Sequence, residues 1–279
     1  MRTGATAAGA GFTLEPGLDA EIRQAARLLV DARHAVALTG AGLSVESGIP
    51  PFRGPGGIWT THGEPPMDGY QRFLRDPAAA WREQLEPREA WLRALRDALR
   101  AAKPNDGHRA LAELERRGHL AALITQNVDD LHRRAGHTRV LELHGNHRLL
   151  RCIACHARYE PDAIPIDPAS LPPRCPACVG IVKSDIVVFG EPIPADVLDA
   201  CFDAVARADC MLVAGTSATV YPAAELPYEV LRAGGVVIEV NPEESELTAV
   251  ATLSLRGPGG PLLTRLLEHV TALATPEAS

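Results

Sequence analysis

AVALTGAGLSVESGIPPFR, residues 35–53, opens with an apolar run, Ala35-Val36-Ala37-Leu38, that feeds directly into Gly40-Ala41-Gly42. This is the sequence form of a β-strand ending at a tight turn, where a dinucleotide's pyrophosphate would meet backbone N–H groups. The fingerprint of a nicotinamide dehydrogenase is nevertheless incomplete. Val45 stands where a third small residue belongs, and no acidic residue punctuates a second strand about 20 positions on. The stretch reads as a phosphate-holding turn whose reaction the turn itself leaves open.

Helical and strand periods alternate on either side of it. Leu18, Ile22, Ala25, Ala26 and Leu29 fall on one helical face just before the strand. Further on, 108–118 reads as an amphipathic helix stopped by Gly118, 120–125 as a strand and 140–145 as a short strand. The apolar runs 210–217 and 235–241 end in Gly, Thr, Ser or Asn. Strands that finish in small polar residues and are separated by helices describe an α/β fold, a parallel sheet with helices on both faces, whose functional residues gather at the strands' carboxyl ends.

Two segments break this pattern. Residues 61–103 hold three Trp- or Phe-bearing helical stretches and several prolines, and 148–183 hold four cysteines among many turn formers. Both read as insertions that together build a smaller domain, leaving a cleft beside the sheet. The expected partition is 17–60, 104–147 and 184–272 for the sheet domain, 61–103 and 148–183 for the small one, and 1–16 as a disordered tail.

A chain of 279 residues with 46% apolar content has the material for a substantial core. Its formal charge of −7 argues against nucleic acid as the main partner. No window approaches 18 consecutive apolar residues, and MRTGATAAGAGFT has too little apolar core for a signal peptide, so the expectation is a cytoplasmic protein without a membrane partner. Oligomeric state is left open.

Cys152-x2-Cys155 and Cys175-x2-Cys178, with 19 residues between the pairs, match a four-thiolate zinc site in which two knuckle turns each offer two ligands. Paired disulfides fit poorly in a chain without an export signal, and a redox C-x-x-C needs no twin. With all four ligands from protein no position is open to activate water, so the zinc is structural. Cys201 and Cys210 read as buried thiols.

TQNVDDLHRRAG, residues 125–136, follows a strand directly and would send Gln126, Asn127 and Asp129 into the cleft, side chains suited to ribose hydroxyls and a carboxamide. An Asn-x-Asp after a strand is as often a helix cap. His144 stands at another strand end, before Gly145; a lone histidine is more often structural than catalytic, and His108, His132 and His147 have weaker claims still.

Together these pieces resemble sirtuins. GAGLSVESGIPPFR at 40–53, TQNVDDLH at 125–132, LHGN at 143–146, the paired C-x-x-C, VVFGE at 187–191, GTSATVYPAAELP at 215–227 and VNPE at 240–243 occur in that family's order, spanning about residues 17–272. The resemblance implies a Rossmann-like domain, a small domain made of a helical module and a zinc ribbon, and NAD-dependent deacylation of protein lysines. It also implies that NAD is held to break its glycosidic bond, so the dehydrogenase fingerprint is not required. By the same resemblance Gly40, Ala41, Gly42 and Arg53 would face the phosphates and adjoining ribose, and Phe52 the nicotinamide end. Gly215, Thr216 and Ser217 would form a second phosphate-binding turn, with Asn241 at the adenosine ribose. Gln126 and Asn127 would hold the nicotinamide ribose, Asp129 would accept from the carboxamide, and His144 would be the general base, with Asn127 beside it in the catalytic set. Val188, Phe189, Gly190 and Glu191, with Val220 and Tyr221, would offer edges between which an acyl-lysine peptide pairs as an added strand.

The chain departs from the family in Pro51, where an aspartate is frequent, and in Val188, where an aromatic is frequent; the latter would leave room for a longer acyl chain. Gln84 and Pro87 occupy the positions of the Tyr-x-x-Arg pair found in members that prefer succinyl or malonyl groups, which argues against acidic acyl chains. An NAD hydrolase or protein ADP-ribosyltransferase with the same pocket is the alternative, and a non-catalytic NAD-sensing module a third.

Overall fold

Residues 12–274 are described in the computed structural model. Helix α1 (Pro16–Asp31) buries Ile22, Ala25, Ala26 and Leu29, four of the five residues that its period lines up. It hands the chain to β1 (Ala35–Thr39), buried along its whole length, as a continuously apolar strand inside a parallel sheet must be. A 3₁₀ helix over Ala41–Ser47 follows at once. Then come α2 (Ile58–His62), α3 (Gly69–Arg75), α4 (Pro77–Leu85) and α5 (Ala90–Ala101), the last three being the helical stretches expected over 61–103.

The chain returns to the sheet through α6 (Asp106–Arg116), β2 (Ala122–Thr125), α7 (Leu131–Arg134) and β3 (Val140–Glu142). It leaves again for β4 (Leu150–Cys152), β5 (Arg158–Tyr159) and β6 (Val182–Ser184). It finishes with α8 (Ala195–Ala206), β7 (Cys210–Ala214), α9 (Glu225–Arg232), β8 (Val236–Asn241), β9 (Leu253–Arg256) and α10 (Gly259–Ala274). Six strands pair in parallel in the order β3-β2-β1-β7-β8-β9, and the other three form a small antiparallel sheet, β5-β4-β6.

Register sets the strand ends level: Thr39 lies opposite Thr125 and Ala214, and Thr125 opposite Glu142. One core packs α1, α6 and α10 against the large sheet, with Leu29, Leu111 and Leu266 among its members; a second packs α8 and α9 on the other face around Val205, Met211 and Leu226. A separate cluster joins Phe73 and Trp81 of the helical stretch to Leu150, Cys152, Cys175 and Val182 of the small sheet. Trp81 is 2% exposed, and its Nε1 donates to the carbonyl of Val182 at 2.8 Å. Truncating such a tryptophan costs about 3–5 kcal/mol, so this contact binds α4 to the small sheet.

The differences from expectation are local. Helix α6 starts two residues early because Asn105 caps it, its side chain accepting from the His108 N–H at 3.2 Å. The strand expected over 140–145 stops at Glu142, since Gly145 turns the chain at φ +77°. The expected tail falls, for residues 1–11, outside the described residues, and Pro16 is already the first residue of α1.

Candidate active site

The strand order reverses between β1 and β7, and two glycine turns meet there, where α/β sheets bind their ligands. The Gly40 N–H donates to the Ala214 carbonyl at 3.0 Å and the Gly42 N–H to the Gly215 carbonyl at 2.8 Å. The approach leaves no room for side chains. A Cβ on Gly40 would lie 2.7 Å from the Gly215 carbonyl oxygen, and one on Gly215, held at φ +66°, would lie 2.2 Å from the Leu43 nitrogen. Two further strand ends are laced to this junction: Asn241 Nδ2 donates to the Thr216 carbonyl at 2.9 Å, and Gln126 Nε2 to Thr216 Oγ1 at 3.0 Å. Ser217 is exposed, its hydroxyl 3.0 Å from that of Thr219.

Asn127 and Asp129 turn inward, 7% and 4% exposed. Asn127 Nδ2 donates to the Gly40 carbonyl at 3.0 Å and to Ser44 Oγ at 3.2 Å; Ser44 Oγ in turn donates to Asp129 Oδ2 at 2.6 Å. The other carboxylate oxygen, Oδ1, accepts from the Leu131 N–H at 2.9 Å, a bond two residues along the chain; the N-cap of α7 is Asp130, whose side chain makes no cap bond. Burial raises the Asp129 carboxyl above its ordinary range, and the Ser44 and Leu131 donors oppose the rise.

His144 follows β3, and its Nδ1 lies 3.1 Å from the Gln126 carbonyl oxygen. A carbonyl only accepts, so Nδ1 carries the proton and Nε2 keeps its lone pair. Burial lowers the pKa of His144, with the Gln126 bond opposing, so the neutral base prevails at pH 7.

An aromatic row closes one side. Phe52 packs against Trp59 with ring centroids 4.8 Å apart and planes tilted by 32°, and Trp59 against Phe189 at 5.6 Å and 58°. The Arg53 guanidinium sits 4.5 Å above the Trp59 ring and pairs with Glu64 at 3.0 Å, so in this structure it is engaged away from the glycine turns. Around Phe189 the backbone is a turn. The Val187 N–H donates to the His144 carbonyl at 2.9 Å and the Val188 N–H to Glu191 Oε2 at 3.0 Å; Lys183 also pairs with Glu191, at 3.1 Å. Glu191 therefore faces inward and braces its own loop. The Gly190 carbonyl accepts from Gln71 Nε2 at 3.4 Å. Val220 and Tyr221 lie just outside α9, and Tyr221 is 66% exposed.

The four cysteine sulfurs all lie within 4.8 Å of one another, with Cys152 and Cys178 at 3.5 Å and Cys155 and Cys175 at 3.7 Å. Four thiolates at about 2.3 Å from a tetrahedral zinc lie about 3.8 Å apart, so the donor set fits one structural ion. The Tyr159 hydroxyl, 3.0 Å from Cys175 Sγ, adds a hydrogen bond at the sulfur.

A sequence profile of the Sir2 family matches residues 40–222. The NAD-dependent protein deacylase 1 of Archaeoglobus fulgidus is 44% identical over 244 residues, 88% of this chain and 96% of that protein. The chain belongs to the Sir2 family. Among solved structures it is similar to a Sir2 homolog–NAD complex (TM-score 0.76, 43% identity, covering 90% of this chain and 94% of that one). It is also similar to a Sir2–p53 peptide–NAD+ complex (TM-score 0.73, 36% identity, covering 90% and 99%).

Several residues of this Sir2 site escape a reading of the sequence. Ser44 links Asn127 to Asp129 but stands inside a glycine-led loop with no motif of its own. Trp59 joins Phe52 to Phe189 across 130 residues of sequence. Ser44 lies one helical turn beyond Ala41, so the 3₁₀ period would have put both on one face.

Proposed function

We propose that this Sir2-family chain is an NAD-dependent protein lysine deacylase that moves the acyl group of a lysine side chain to ADP-ribose and releases nicotinamide. The observation that carries the reading is the neutral His144, with Nδ1–H tied to the Gln126 carbonyl and Nε2 free to take a proton, at the strand ends that also carry Asn127 and Asp129. The glycine junction fits a dinucleotide, since a Cβ at Gly40, Gly42 or Gly215 would strike backbone within 3 Å.

Bound NAD supplies a ribose carbon that exchanges its bond to nicotinamide for one to the acyl oxygen. That exchange needs enforced alignment more than a strong nucleophile, and alignment is what Gln126, Asn127 and the two turns provide. Asp129 accepts from the carboxamide, and Arg53 reaches the phosphates once it leaves Glu64. His144 Nε2 then draws a proton through the ribose hydroxyls, help commonly worth 10² to 10⁴ in rate. The peptide pairs beside Val188–Gly190 and Val220–Tyr221. Gln84, exposed, and Pro87, buried, offer no cation to an acidic acyl group, so uncharged acyl chains are the proposed substrates. Among the described residues no helix is long and apolar enough to cross a membrane, and the cytoplasm is the proposed compartment.

The test is mass spectrometry of NAD reactions with acetyl, long-chain and succinyl lysine peptides and a no-peptide control, alongside His144→Ala. Peptide-dependent nicotinamide and acyl-ADP-ribose, lost in the variant, support deacylation. NAD consumed at equal rate without peptide would assign a hydrolase or ADP-ribosyltransferase instead.

A further inference from the structure

Asp185 follows β6 directly and is 0% exposed. Its Oδ1 accepts from Arg151 Nε at 2.6 Å. Its Oδ2 accepts from Arg158 Nε at 3.1 Å, from Arg158 Nη2, and from the backbone N–H of Asn146 at 2.9 Å. Both arginines come from the small sheet, Arg151 from β4 beside Cys152 and Arg158 from β5. The single backbone acceptance, from Asn146, reaches the turn that carries His144.

That turn is held against residues 185–187 at three successive positions. The His144 carbonyl accepts from the Val187 N–H at 2.9 Å. Gly145, at φ +77°, passes so close that a Cβ there would lie 2.1 Å from the Asp185 carbonyl oxygen. The Asn146 N–H ends on the Asp185 carboxylate, and its side-chain Nδ2 donates to Glu142 at 2.6 Å, where Arg158 Nη2 (3.1 Å) and Arg133 Nε (3.1 Å) also converge. Two buried carboxylates are thus matched by guanidinium groups, two of three from the small sheet. A buried ion network is weak support for stability, because apolar side chains of similar volume commonly serve as well. What it does supply is a single fixed geometry, here for the main chain on both sides of His144, whose ring is pinned separately by Gln126.

We propose that Asp185 is a positioning residue for His144, clamped by Arg151 and Arg158, so that the small sheet sets the aim of the base. The proposal rests on His144 being the general base. Displacing a reacting group by about 1 Å can cost about 10²-fold in rate. Because the base acts only after nicotinamide has left, a mis-aimed His144 would slow acyl transfer while leaving the earlier, reversible loss of nicotinamide intact. A general loss of structure would lower both.

The experiment measures, in the full-length protein, exchange of labelled nicotinamide into NAD with acetyl peptide present and formation of acetyl-ADP-ribose, for Asp185→Asn, Arg158→Gln, Arg158→Lys and His144→Ala. Asp185→Asn is expected to keep exchange and the KM for NAD within about twofold and to lose 10- to 100-fold in transfer. Arg158, whose side chain is 32% exposed, gives the milder variant that decides the matter should Asp185→Asn fail to fold. Arg158→Gln is expected to show the same split, and Arg158→Lys to recover part of the transfer. Exchange and transfer falling in equal proportion in Arg158→Gln would overturn the proposal, as would unimpaired transfer in Asp185→Asn while His144→Ala is inactive. Transfer surviving in His144→Ala would instead sink the assignment of the base, and this proposal with it.

Discussion

Ser44 shows how much a single small side chain can organise. It is 1% exposed and touches both Asn127 and Asp129, giving its proton to the carboxylate at 2.6 Å. Hydrogen bonds to charged groups contribute about 1.5–3 kcal/mol, and a buried carboxylate that loses a donor has little else to turn to. Ser44→Ala is therefore expected to lower unfolding free energy in urea by about that amount and to raise the Asp129 pKa further. An unchanged urea midpoint would mean that water replaces the hydroxyl. His144 allows a prediction of opposite kind. Its pKa lies below the ordinary 6.5 because burial disfavours the imidazolium, so the active neutral form persists as acid is added down to that lowered value. The transfer rate should hold through pH 6.5 and fall only below it; an acid limb centred above 6.5 would contradict the geometry.

At the scale of elements, α6, α7 and the loop before β3 bring three histidines together. His108, His132 and His137 are 0%, 2% and 5% exposed, with ring centroids 4.8 Å apart for the first pair and 5.2 Å for the second. Burial lowers all three, His108 to about 3. The fold holds them neutral, whereas the unfolded chain takes up protons near pH 6.5, so their contribution is complete above 6.5 and is lost as pH falls below it, for His108 down to about 3. His108 alone removes about 1.4 kcal/mol per pH unit in its window. His108→Gln should flatten the fall in stability between pH 6.5 and 5 by about 2 kcal/mol; equal slopes for variant and parent would show that His108 protonates as readily folded as unfolded. The same elements show what the sequence makes legible. β1 and β7 are apolar at nearly every position because both faces are covered, and that density is visible without a structure. β9 went unseen because it is a four-residue edge strand in which Ser254 and Arg256 alternate with Leu253 and Leu255, too short for a period to register. The cysteines and His144 announce themselves by spacing and motif, while Ser44 and Asp185 act through contacts 85 and 39 residues away, a separation no local pattern encodes.

Across the whole molecule two structural units depend on different forces. The large sheet is covered on both faces by apolar clusters, and the four-cysteine donor group lies outside both of them. The small sheet has three short strands, and two of its four metal donors, Cys152 and Cys175, are also part of its apolar cluster. Structural zinc contributes about 10–16 kcal/mol to the folding of such small units, far more than a cluster of this size can replace. Chelation, or Cys155→Ser, should therefore unfold the small sheet and leave the large one standing. Trp81 reports the event, since its ring packs in that cluster and its N–H donates to Val182. The expected result is a shift in tryptophan fluorescence and loss of acyl transfer at a chelator concentration where most far-UV circular dichroism survives, because α1, α6, α8, α9 and α10 cover the large sheet rather than the small one. A single transition, with fluorescence and circular dichroism lost together, would instead mean that the contacts of Arg151 and Arg158 with Asp185 couple the two sheets into one cooperative unit.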